Sequence, residues 1–323
     1  MNRITLHLLA TRIALAAFAI TAMAVSGSAA DAPVKFARFQ FGDTVGYGVV
    51  DGDQLTLIDG DLFGQWKKTG RTFSLEEVTL LVPTQPTQVI ALAGNYRSHL
   101  AGDESVTTIV TTTTTTSTDL QTGETKSTTT SKTEYRSSTE IPEKFRIPQP
   151  FFKSPSCLTP HGGDIVIPKD AETVHFEAEL VLVIGKTAKS VPPADALDYV
   201  FGVTCGNDVS ARKWQQNDVQ WWRAKGADTF GPCGPLIVQG LDYDNLLGRL
   251  RLNGKVMQEE STSFMIHDVR TLVSVISRHI TLHPGDLIFT GTSGQTAAIQ
   301  AGDIVEVEYE GVGVLRNQVV AEK

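Results

Sequence analysis

The segment HFEAELVLVIGK, from His175 to Lys186, joins an unbroken apolar run to two carboxylates. Its second half, from Leu180 to Gly185, has the length and composition of a strand that is buried on both faces. Because side chains alternate along a strand, Glu177 and Glu179 are expected on one face, at the beginning of that strand. Two ionised carboxylates in apolar surroundings are strongly unfavourable unless one takes a proton or a cation lies between them. The alternative is that both are solvated residues of an edge strand.

A third acid, Asp208, ends the next apolar run, VFGVTCGND, and a helical segment from Ser210 to Gln216 follows it directly. Three carboxylates without an accompanying cysteine or histidine pair favour a hard cation that prefers oxygen ligands. The ion would be Mg²⁺ or Mn²⁺, with Ca²⁺ as the alternative. The pattern therefore offers Glu177, Glu179 and Asp208 as ligands of one divalent cation.

Short strands dominate the rest of the chain. Residues 33 to about 85 alternate apolar and polar side chains between Gly-Asp turns, which indicates a small antiparallel β domain, and the apolar strand Val89–Ala93 follows. From Phe151 onward, strands recur between Gly, Pro and Asp turns, and helical stretches over Ala194–Tyr199 and about Val269–His279 interrupt them. Strands and helices do not alternate regularly, so a doubly wound fold is not expected. The sequence predicts a mostly β protein with a few helices, an α+β fold whose mixed sheet closes into a barrel or roll.

A low-complexity insertion, residues 105–138, is dominated by threonine. Two threonine-rich arms flank a turn-like centre, from Asp119 to Gly123. Because threonine favours strands, a long polar β-hairpin is one interpretation, and a disordered lid is the other.

The first thirty residues have the pattern of a signal peptide. Arg3 and Arg12 precede the apolar run Ile13–Val25, and small residues follow up to Ala30. The run is shorter than the ~20 apolar residues that a membrane span needs. We therefore expect cleavage near Ala30 and an exported, periplasmic protein that is not held in a membrane. The net charge of −8, with no basic patch, argues against a nucleic-acid partner.

Several segments, in the right order and spacing, resemble the fumarylacetoacetate hydrolase family. They are PFFKSPSCL, HFEAELVLVIGK, GNDVSARKWQ, KGADTFGPCGPLIV, LNGKVMQ and TLHPGDLIFTGT, together with the upstream motif NYRSH. The resemblance covers nearly all of the chain after residue 30 except the threonine-rich insertion. It implies a catalytic domain over residues 87–323, with a mixed β-barrel or roll fold, preceded by the small β domain over residues 31–86. We also expect a homodimer.

The resemblance implies a role for each matching polar residue. Glu177, Glu179 and Asp208 match the family's Mg²⁺ or Mn²⁺ ligands, and Lys225 matches the lysine that stabilises developing oxyanion charge. Three further positions match substrate-contacting residues: Arg212, Gln215 and Thr292. Arg212 and Gln215 share one face of the predicted helix. The competing interpretations are a surface salt bridge for Arg212 and a turn threonine for Thr292.

His99, in the NYRSH motif, resembles the family's catalytic histidine, which activates water for C–C hydrolysis. Hydrolytic members of the family place a glutamate three residues later, but Gly102 occupies that position here. The next acids are Asp103 and Glu104, and Glu104 is the favoured partner of His99 because its side chain is longer. If neither acid reaches the imidazole, tautomerisation or decarboxylation becomes the favoured chemistry.

The resemblance implies a metal-dependent hydrolase that cleaves a C–C bond in a diketo acid through an enolate. The expected substrate is a small keto or diketo acid, such as an acylpyruvate or fumarylpyruvate. Isomerisation, decarboxylation and ureidoglycolate-type lyase chemistry use the same scaffold and stay open. An exported protein that binds a metal and a ligand without turnover is the alternative from another functional class.

Overall fold

The computed structural model describes residues 32–100, 106–118, 125–137 and 141–323. The predicted signal peptide and Glu104 lie outside these ranges, so both stay predictions. Within the described ranges, no helix is both long enough and apolar enough to cross a bilayer.

Most of the described chain is in strands, which are numbered here in chain order. They are β1 (Val34–Phe41), β2 (Thr44–Asp51), β3 (Gln54–Gly60), β4 (Trp66–Ser74), β5 (Thr79–Leu80), β6 (Val89–Ala93), β7 (Val106–Thr118), β8 (Thr125–Ser137), β9 (Gln149–Lys153), β10 (Leu158–Thr159), β11 (Asp164–Ile167), β12 (Val174–His175), β13 (Ala178–Ile184), β14 (Val200–Asn207), β15 (Ser210–Ala211), β16 (Gly231–Gln239), β17 (Leu247–Leu252), β18 (Lys255–Ser261), β19 (Leu287–Phe289), β20 (Ile304–Tyr309) and β21 (Gly313–Ala321).

The helices of the described ranges are few and mostly short. The α-helices are α1 (Arg97–Leu100), α2 (Arg212–Asn217), α3 (Trp222–Gly226) and α4 (Val269–His279), and single 3₁₀ segments cover Leu75–Glu77, Glu143–Phe145, Pro155–Cys157, Pro193–Tyr199 and Thr262–Phe264. The predicted helix over 269–279 is confirmed, and the predicted helical stretch over 194–199 is a 3₁₀ segment.

Two sheets form the body of the protein. The larger sheet has the order β4-β3-β2-β1-β16-β14-β13-β19-β6-β9, with β10 beside β16 and β5 beside β1. The smaller sheet has the order β11-β21-β20-β17-β18. Both parallel and antiparallel pairs occur, since β19 runs parallel to β6 while β13 runs antiparallel to β14.

The mostly β fold with a few helices is confirmed, but the predicted closure into a barrel is corrected to two open, mixed sheets. The larger sheet ends at β4 on one side and at β9 on the other, and no ladder in the described ranges joins these two strands. The physical reason is that the smaller sheet covers the apolar face of β13 and β14. One core cluster contains Leu180 and Leu182 from β13 together with Leu250, Val305 and Leu315 from the smaller sheet.

The first four strands form an antiparallel meander, which agrees with the alternation of apolar and polar residues over 33–85. Strand β1 also pairs with β16, where Val34 lies opposite Gln239 and Phe36 lies opposite Ile237. The N-terminal strands therefore continue the same sheet as the strands of the C-terminal part.

Strand β13 is buried along its whole length, as the apolar run predicts. Leu180 and Leu182 face the smaller sheet, whereas Val181 and Val183 belong to a second cluster with Phe289 on the opposite face. Each of these side chains contributes about 1.5–3 kcal/mol by leaving water. Such burial on both faces fixes the register of β13, and with it the position of the residues that precede the strand.

The threonine-rich insertion contains the antiparallel strands β7 and β8, with Val106 opposite Ser137 and Thr118 opposite Thr125. This arrangement corresponds to the β-hairpin interpretation of the sequence.

Candidate active site

The three predicted metal ligands lie at one end of the β13–β14 pair. Ala178 lies opposite Asn207, and just beyond this pair the Asp208 amide donates to the Glu177 carbonyl at 2.9 Å. The Asn207 side chain accepts the Glu177 amide hydrogen at 2.8 Å, which holds Glu177 in place just before β13 begins. Ligand oxygens of Glu177, Glu179 and Asp208 lie within 4.8 Å of one another, and all three residues are buried.

Glu179 is the acid whose charge is not balanced by a direct partner. Its Oε2 atom accepts the Gly291 amide hydrogen at 2.7 Å, but its buried Oε1 atom has no hydrogen-bond partner in the described ranges. Gly291 has φ +98°, and a side chain there would strike Asn95. Burial, with Asp208 and Glu177 close by, raises the pKa of Glu179 well above its ordinary value.

An orphaned carboxylate oxygen beside two further buried carboxylates fits a divalent cation, because hard cations take oxygen ligands of this type. The donor set therefore agrees with the Mg²⁺ or Mn²⁺ site that the sequence predicts. No cysteine or histidine belongs to this group of three acids.

Lys225, in α3, joins two of the acids. Its Nζ atom lies 2.7 Å from Glu177 Oε2 and 2.7 Å from Asp208 Oδ2, and the side chain is 3% exposed. Burial alone would raise the pKa of Glu177, but the charges of Lys225 and Arg212 lower it to about 2. Burial likewise opposes the charged form of Lys225, but the carboxylates of Asp208 and Glu177 outweigh it and raise the pKa. Glu177 and Lys225 are therefore both ionised at neutral pH.

Lys153, the last residue of β9, is a second buried cation that the sequence analysis does not single out. Its Nζ atom lies 2.6 Å from Asp208 Oδ1 and donates to the carbonyl oxygens of Lys225 and Phe230. The motif PFFKSPSCL contained the signal for this role, since alternation along β9 puts Lys153 on the same face as Phe151, which lines the cavity of the site.

Arg212 begins α2 and reaches back to the acids. Its Nη2 atom lies 2.7 Å from Glu177 Oε1 and 2.7 Å from Thr296 Oγ1, and its Nη1 atom donates to Gln215 Oε1 at 2.8 Å. Arg212 and Gln215 lie on one face of α2, as their spacing predicts, and the contact of both residues with substrate stays a prediction. The surface salt bridge that competed with it is ruled out, because the partner of Arg212 is the buried Glu177.

His99 lies in α1 and has a defined orientation. Its Nδ1 atom lies 2.8 Å from the carbonyl oxygen of Gly294. A carbonyl oxygen only accepts hydrogen bonds, so Nδ1 carries the hydrogen and the neutral ring keeps an accepting lone pair on Nε2. No carboxylate of the described ranges is bonded to Nδ1, and Glu104 lies outside those ranges.

Thr292 is held by Gln258, another buried residue that the sequence analysis does not single out. Gln258 Nε2 donates to Thr292 Oγ1 at 2.9 Å, and Gln258 Oε1 accepts the Ala178 amide hydrogen at 3.1 Å. Gln258 thereby connects the loop of Thr292 to the strand that carries Glu179. Thr229, in the motif TFGP, accepts the Val166 amide hydrogen at 2.8 Å, which is a turn role.

A cavity of about 320 Å³ opens above the acids. Polar and apolar side chains both line it, among them His99, Gln215, Glu177, Lys225, Thr292, Leu92, Phe145, Phe151 and Trp221. Its volume suits a small organic molecule, with the apolar walls on one side and the charged cluster at the floor. Five of the predicted site residues line this cavity: His99, Glu177, Gln215, Lys225 and Thr292. Arg212 and Asp208 bond to residues of the lining, and Glu179 lies behind it, beside Glu177 and Asp208.

Two family models match the chain. One, described as "Fumarylacetoacetate (FAA) hydrolase C-terminal", matches residues 122–320, and another, described as "Rv2993c-like, N-terminal", matches residues 34–83. Protein Rv2993c from Mycobacterium tuberculosis is 36% identical over 291 residues, which cover 84% of this chain and 95% of that protein.

Two solved structures of similar proteins have isomerase names. 2-Hydroxyhepta-2,4-diene-1,7-dioate isomerase from Mycobacterium marinum matches with a TM-score of 0.73 and 34% identity, over 90% of this chain and 99% of that chain. 5-Carboxymethyl-2-hydroxymuconate delta-isomerase from Mycobacterium smegmatis matches with a TM-score of 0.73 and 35% identity, over 89% of this chain and 100% of that chain.

Proposed function

Because the chain belongs to the fumarylacetoacetate hydrolase family, we propose that it is a divalent-metal-dependent enzyme that isomerises or tautomerises a small 2-oxo acid through its enolate. The family comprises enzymes that act on small organic acids. The names of the two similar isomerases support isomerisation as the class of reaction. Such a reaction moves a proton between carbon and oxygen or between two carbons.

The observation that carries the proposal is the group of buried carboxylates at the floor of the cavity. Glu177, Glu179 and Asp208 would hold the cation, and the unpartnered Oε1 atom of Glu179 gives it a free ligand. A bound Mg²⁺ or Mn²⁺ supplies positive charge that stabilises the enolate of a 2-oxo acid.

The surrounding cations set the charge of the floor. Lys225 pairs with both Glu177 and Asp208 at 2.7 Å, and its position at the cavity lets it bind an anionic oxygen of the substrate as well. Arg212 holds Glu177 from the other side and keeps its carboxylate in one orientation. Gln215 and Thr292 add neutral hydrogen-bonding groups to the wall, where they can orient a carboxylate or hydroxyl group of the substrate.

His99 is the candidate acid–base group. Its Nε2 lone pair can take a proton from the substrate, and the same ring can return the proton at a neighbouring atom. Its Nδ1 partner is the neutral Gly294 carbonyl, which stabilises an imidazolium less than a carboxylate does. A base of this kind suits the removal of a carbon-bound proton next to the 2-oxo group, because that carbonyl group already makes the proton acidic.

Hydrolysis of a C–C bond in an acylpyruvate or fumarylpyruvate is the second candidate. It is supported by the position of His99 and Lys225 on the same cavity, where a water molecule between them would meet both a base and a cation. Hydrolysis also needs stronger activation of that water, which the predicted contribution of Glu104 would supply.

The test is incubation of the Mn²⁺-loaded protein with a 2-hydroxy-2,4-dienedioate and with an acylpyruvate, followed by ultraviolet absorbance and by NMR of the products. We expect Mn²⁺-dependent conversion of the dienedioate into its 2-oxo isomer, with loss of conversion in Glu179→Gln and retention in Asp59→Asn, whose carboxylate is exposed. Cleavage of the acylpyruvate as the faster reaction would favour hydrolysis. Failure to convert any acid of the panel, by protein with demonstrated Mn²⁺ binding, would contradict an enzymatic role.

A further inference from the structure

The loop residue Gly294 binds His99 and also binds Ser98, the residue that precedes His99. Gly294 accepts the His99 Nδ1 hydrogen at 2.8 Å through its carbonyl oxygen, and its amide donates to Ser98 Oγ at 2.9 Å. Gly294 has φ +56°, a left-handed conformation that glycine adopts without strain. Ser98 and His99, which are consecutive residues of α1, therefore bind the amide and the carbonyl group of Gly294.

Ser98 is fixed in turn by a carboxylate from the smaller sheet. Its Oγ atom donates to Glu260 Oε2 at 2.5 Å, the short distance of a charge-assisted hydrogen bond. The Ser98 hydroxyl has one hydrogen, which it donates to Glu260, and its oxygen accepts the hydrogen of the Gly294 amide. The direction of each hydrogen bond from Glu260 to His99 is thus determined.

Glu260 lies in β18, two residues after Gln258 and hence on the same face of the strand. Gln258 Nε2 donates to Thr292 Oγ1 at 2.9 Å and also to the Ser293 carbonyl oxygen. Glu260 reaches the next residue of the loop, Gly294, through Ser98. One face of β18 therefore supports three consecutive residues of the loop that borders the cavity.

We propose that Glu260 is a positioning residue, which acts through Ser98 and Gly294 to hold the His99 ring in its Nδ1–H tautomer with Nε2 directed at the substrate. The role rests on the proposed function of His99 as the acid–base group. It assigns to a strand of the smaller sheet the orienting task that the sequence analysis gave to Glu104. Burial raises the pKa of Glu260, and the hydrogen bond from Ser98 opposes that change.

Substitutions of Glu260 distinguish the loss of the hydrogen-bond acceptor for Ser98 from the loss of the negative charge. In Glu260→Ala, Ser98 loses its acceptor, and its hydroxyl can turn to other partners, so the Gly294 amide loses a defined acceptor. In Glu260→Gln, the amide oxygen can still accept from Ser98, and the chain of hydrogen bonds is kept. Ser98→Ala removes the chain at its centre, and Glu259→Gln is the matched control, since Glu259 pairs with Arg249 at the surface.

Two measurements test the proposal. The first is the ¹⁵N NMR spectrum of histidine-labelled protein, assigned for His99 with a His99→Gln variant, which reports the tautomer without any need for turnover. We expect the Nδ1–H signature in wild type, Glu260→Gln and Glu259→Gln, and a shift toward a tautomer mixture in Glu260→Ala and Ser98→Ala. The second is steady-state kinetics with the dienedioate. We expect kcat to fall by up to about 100-fold in the two broken-chain variants, with KM and Mn²⁺ affinity nearly unchanged.

A folded Glu260→Ala protein with the wild-type tautomer and wild-type kcat would overturn the proposal. Equal losses in Glu260→Gln and Glu260→Ala would overturn it as well, because the amide restores the acceptor. If no acid of the panel is converted, the proposed function fails, and the NMR measurement alone decides whether Glu260 positions His99.

Discussion

The ammonium group of Lys153 lies 2.6 Å from Asp208 Oδ1, and both side chains are 0% exposed. Lys225 binds the other oxygen of the same carboxylate at 2.7 Å. Asp208 is therefore fixed by two buried cations before any metal or substrate arrives. Such a carboxylate has little freedom to turn, so its geometry is set by the fold rather than by the ligand that it receives.

Replacement of Lys153 by methionine should destabilise the protein. The apolar side chain has a similar length, but it leaves Asp208 Oδ1 and two backbone carbonyl oxygens buried without their donor. Removal of one partner from a buried ion pair costs about 3–5 kcal/mol in the free energy of unfolding. Urea denaturation checks this, with Lys67→Met as the control because the Lys67–Asp59 pair is exposed. Equal unfolding midpoints for wild type and Lys153→Met would contradict the structural role.

Removal of a predicted metal ligand should abolish Mn²⁺ binding while the fold survives. Glu179→Gln keeps the volume of the side chain and the acceptor for the Gly291 amide, but it removes the negative charge. Asp208→Asn and Glu177→Ala remove the other two charges. Isothermal titration calorimetry gives the affinity, and circular dichroism gives the folded state. Undiminished affinity in all three variants would show that the cation binds elsewhere.

Binding of Mn²⁺ should release a proton wherever Glu179 is still protonated, because a protonated carboxyl group must ionise to become a ligand. In the metal-free protein, burial and the nearby charges of Asp208 and Glu177 raise the pKa of Glu179, so this acid keeps its proton to a higher pH than an exposed carboxyl group does. The cation binds only the ionised form, so the affinity should increase as the pH rises toward that pKa. Titration calorimetry in two buffers of different ionisation enthalpy counts the protons. Glu179→Gln has no proton to release, and identical heats in both buffers for wild type would contradict the assignment.

Replacement of residues 105–138 by a short Gly-Ser linker should leave the melting temperature nearly unchanged. The insertion follows His99 in sequence, where a lid over the cavity would begin, so KM or kcat should change. Calorimetry and steady-state kinetics check the two parts. A variant that fails to fold would mean that the insertion belongs to the core.

Export is tested by the mass of protein recovered from an expressing bacterial host. We expect a chain that starts near residue 31 in the periplasmic fraction. Recovery of the uncleaved chain from the cytosolic fraction would show that residues 1–30 are not a signal peptide.

Local patterns predict much of the fold and of the candidate site. The apolar run of β13 and the alternation before it give Glu177 and Glu179, and the end of the next apolar run gives Asp208. The period of α4 gives its bounds, from Val269 to His279. Asp268 caps that helix by accepting the Thr271 amide hydrogen at 2.8 Å, an interaction that the sequence analysis does not use. These features depend on neighbours in the sequence, which is why residue patterns contain them.

Contacts between distant segments are what the patterns do not contain. In the sequence, Lys153 is one residue of a strand, and only the fold brings it to Asp208. The role of Glu260 likewise depends on its contact with Ser98, which is distant in the sequence. Strand patterns likewise predict where strands lie but not which of them pair, so the open edges at β4 and β9 could not be predicted.

The pairing of β1 with β16, and of β6 with β19, has a consequence for the timing of folding. Val34 finds Gln239 as its partner, and Val89 finds Leu287, so the larger sheet is incomplete until most of the chain has been synthesised. The meander of β1 to β4 and the pair of β13 and β14 can form early from neighbouring segments, whereas β6 waits for β19, near the end of the chain. Pairings between such distant residues slow folding, because the closure of long loops costs entropy before any contact is gained. Completion of the sheet, and with it of the Gly291 contact to Glu179, therefore comes late in synthesis.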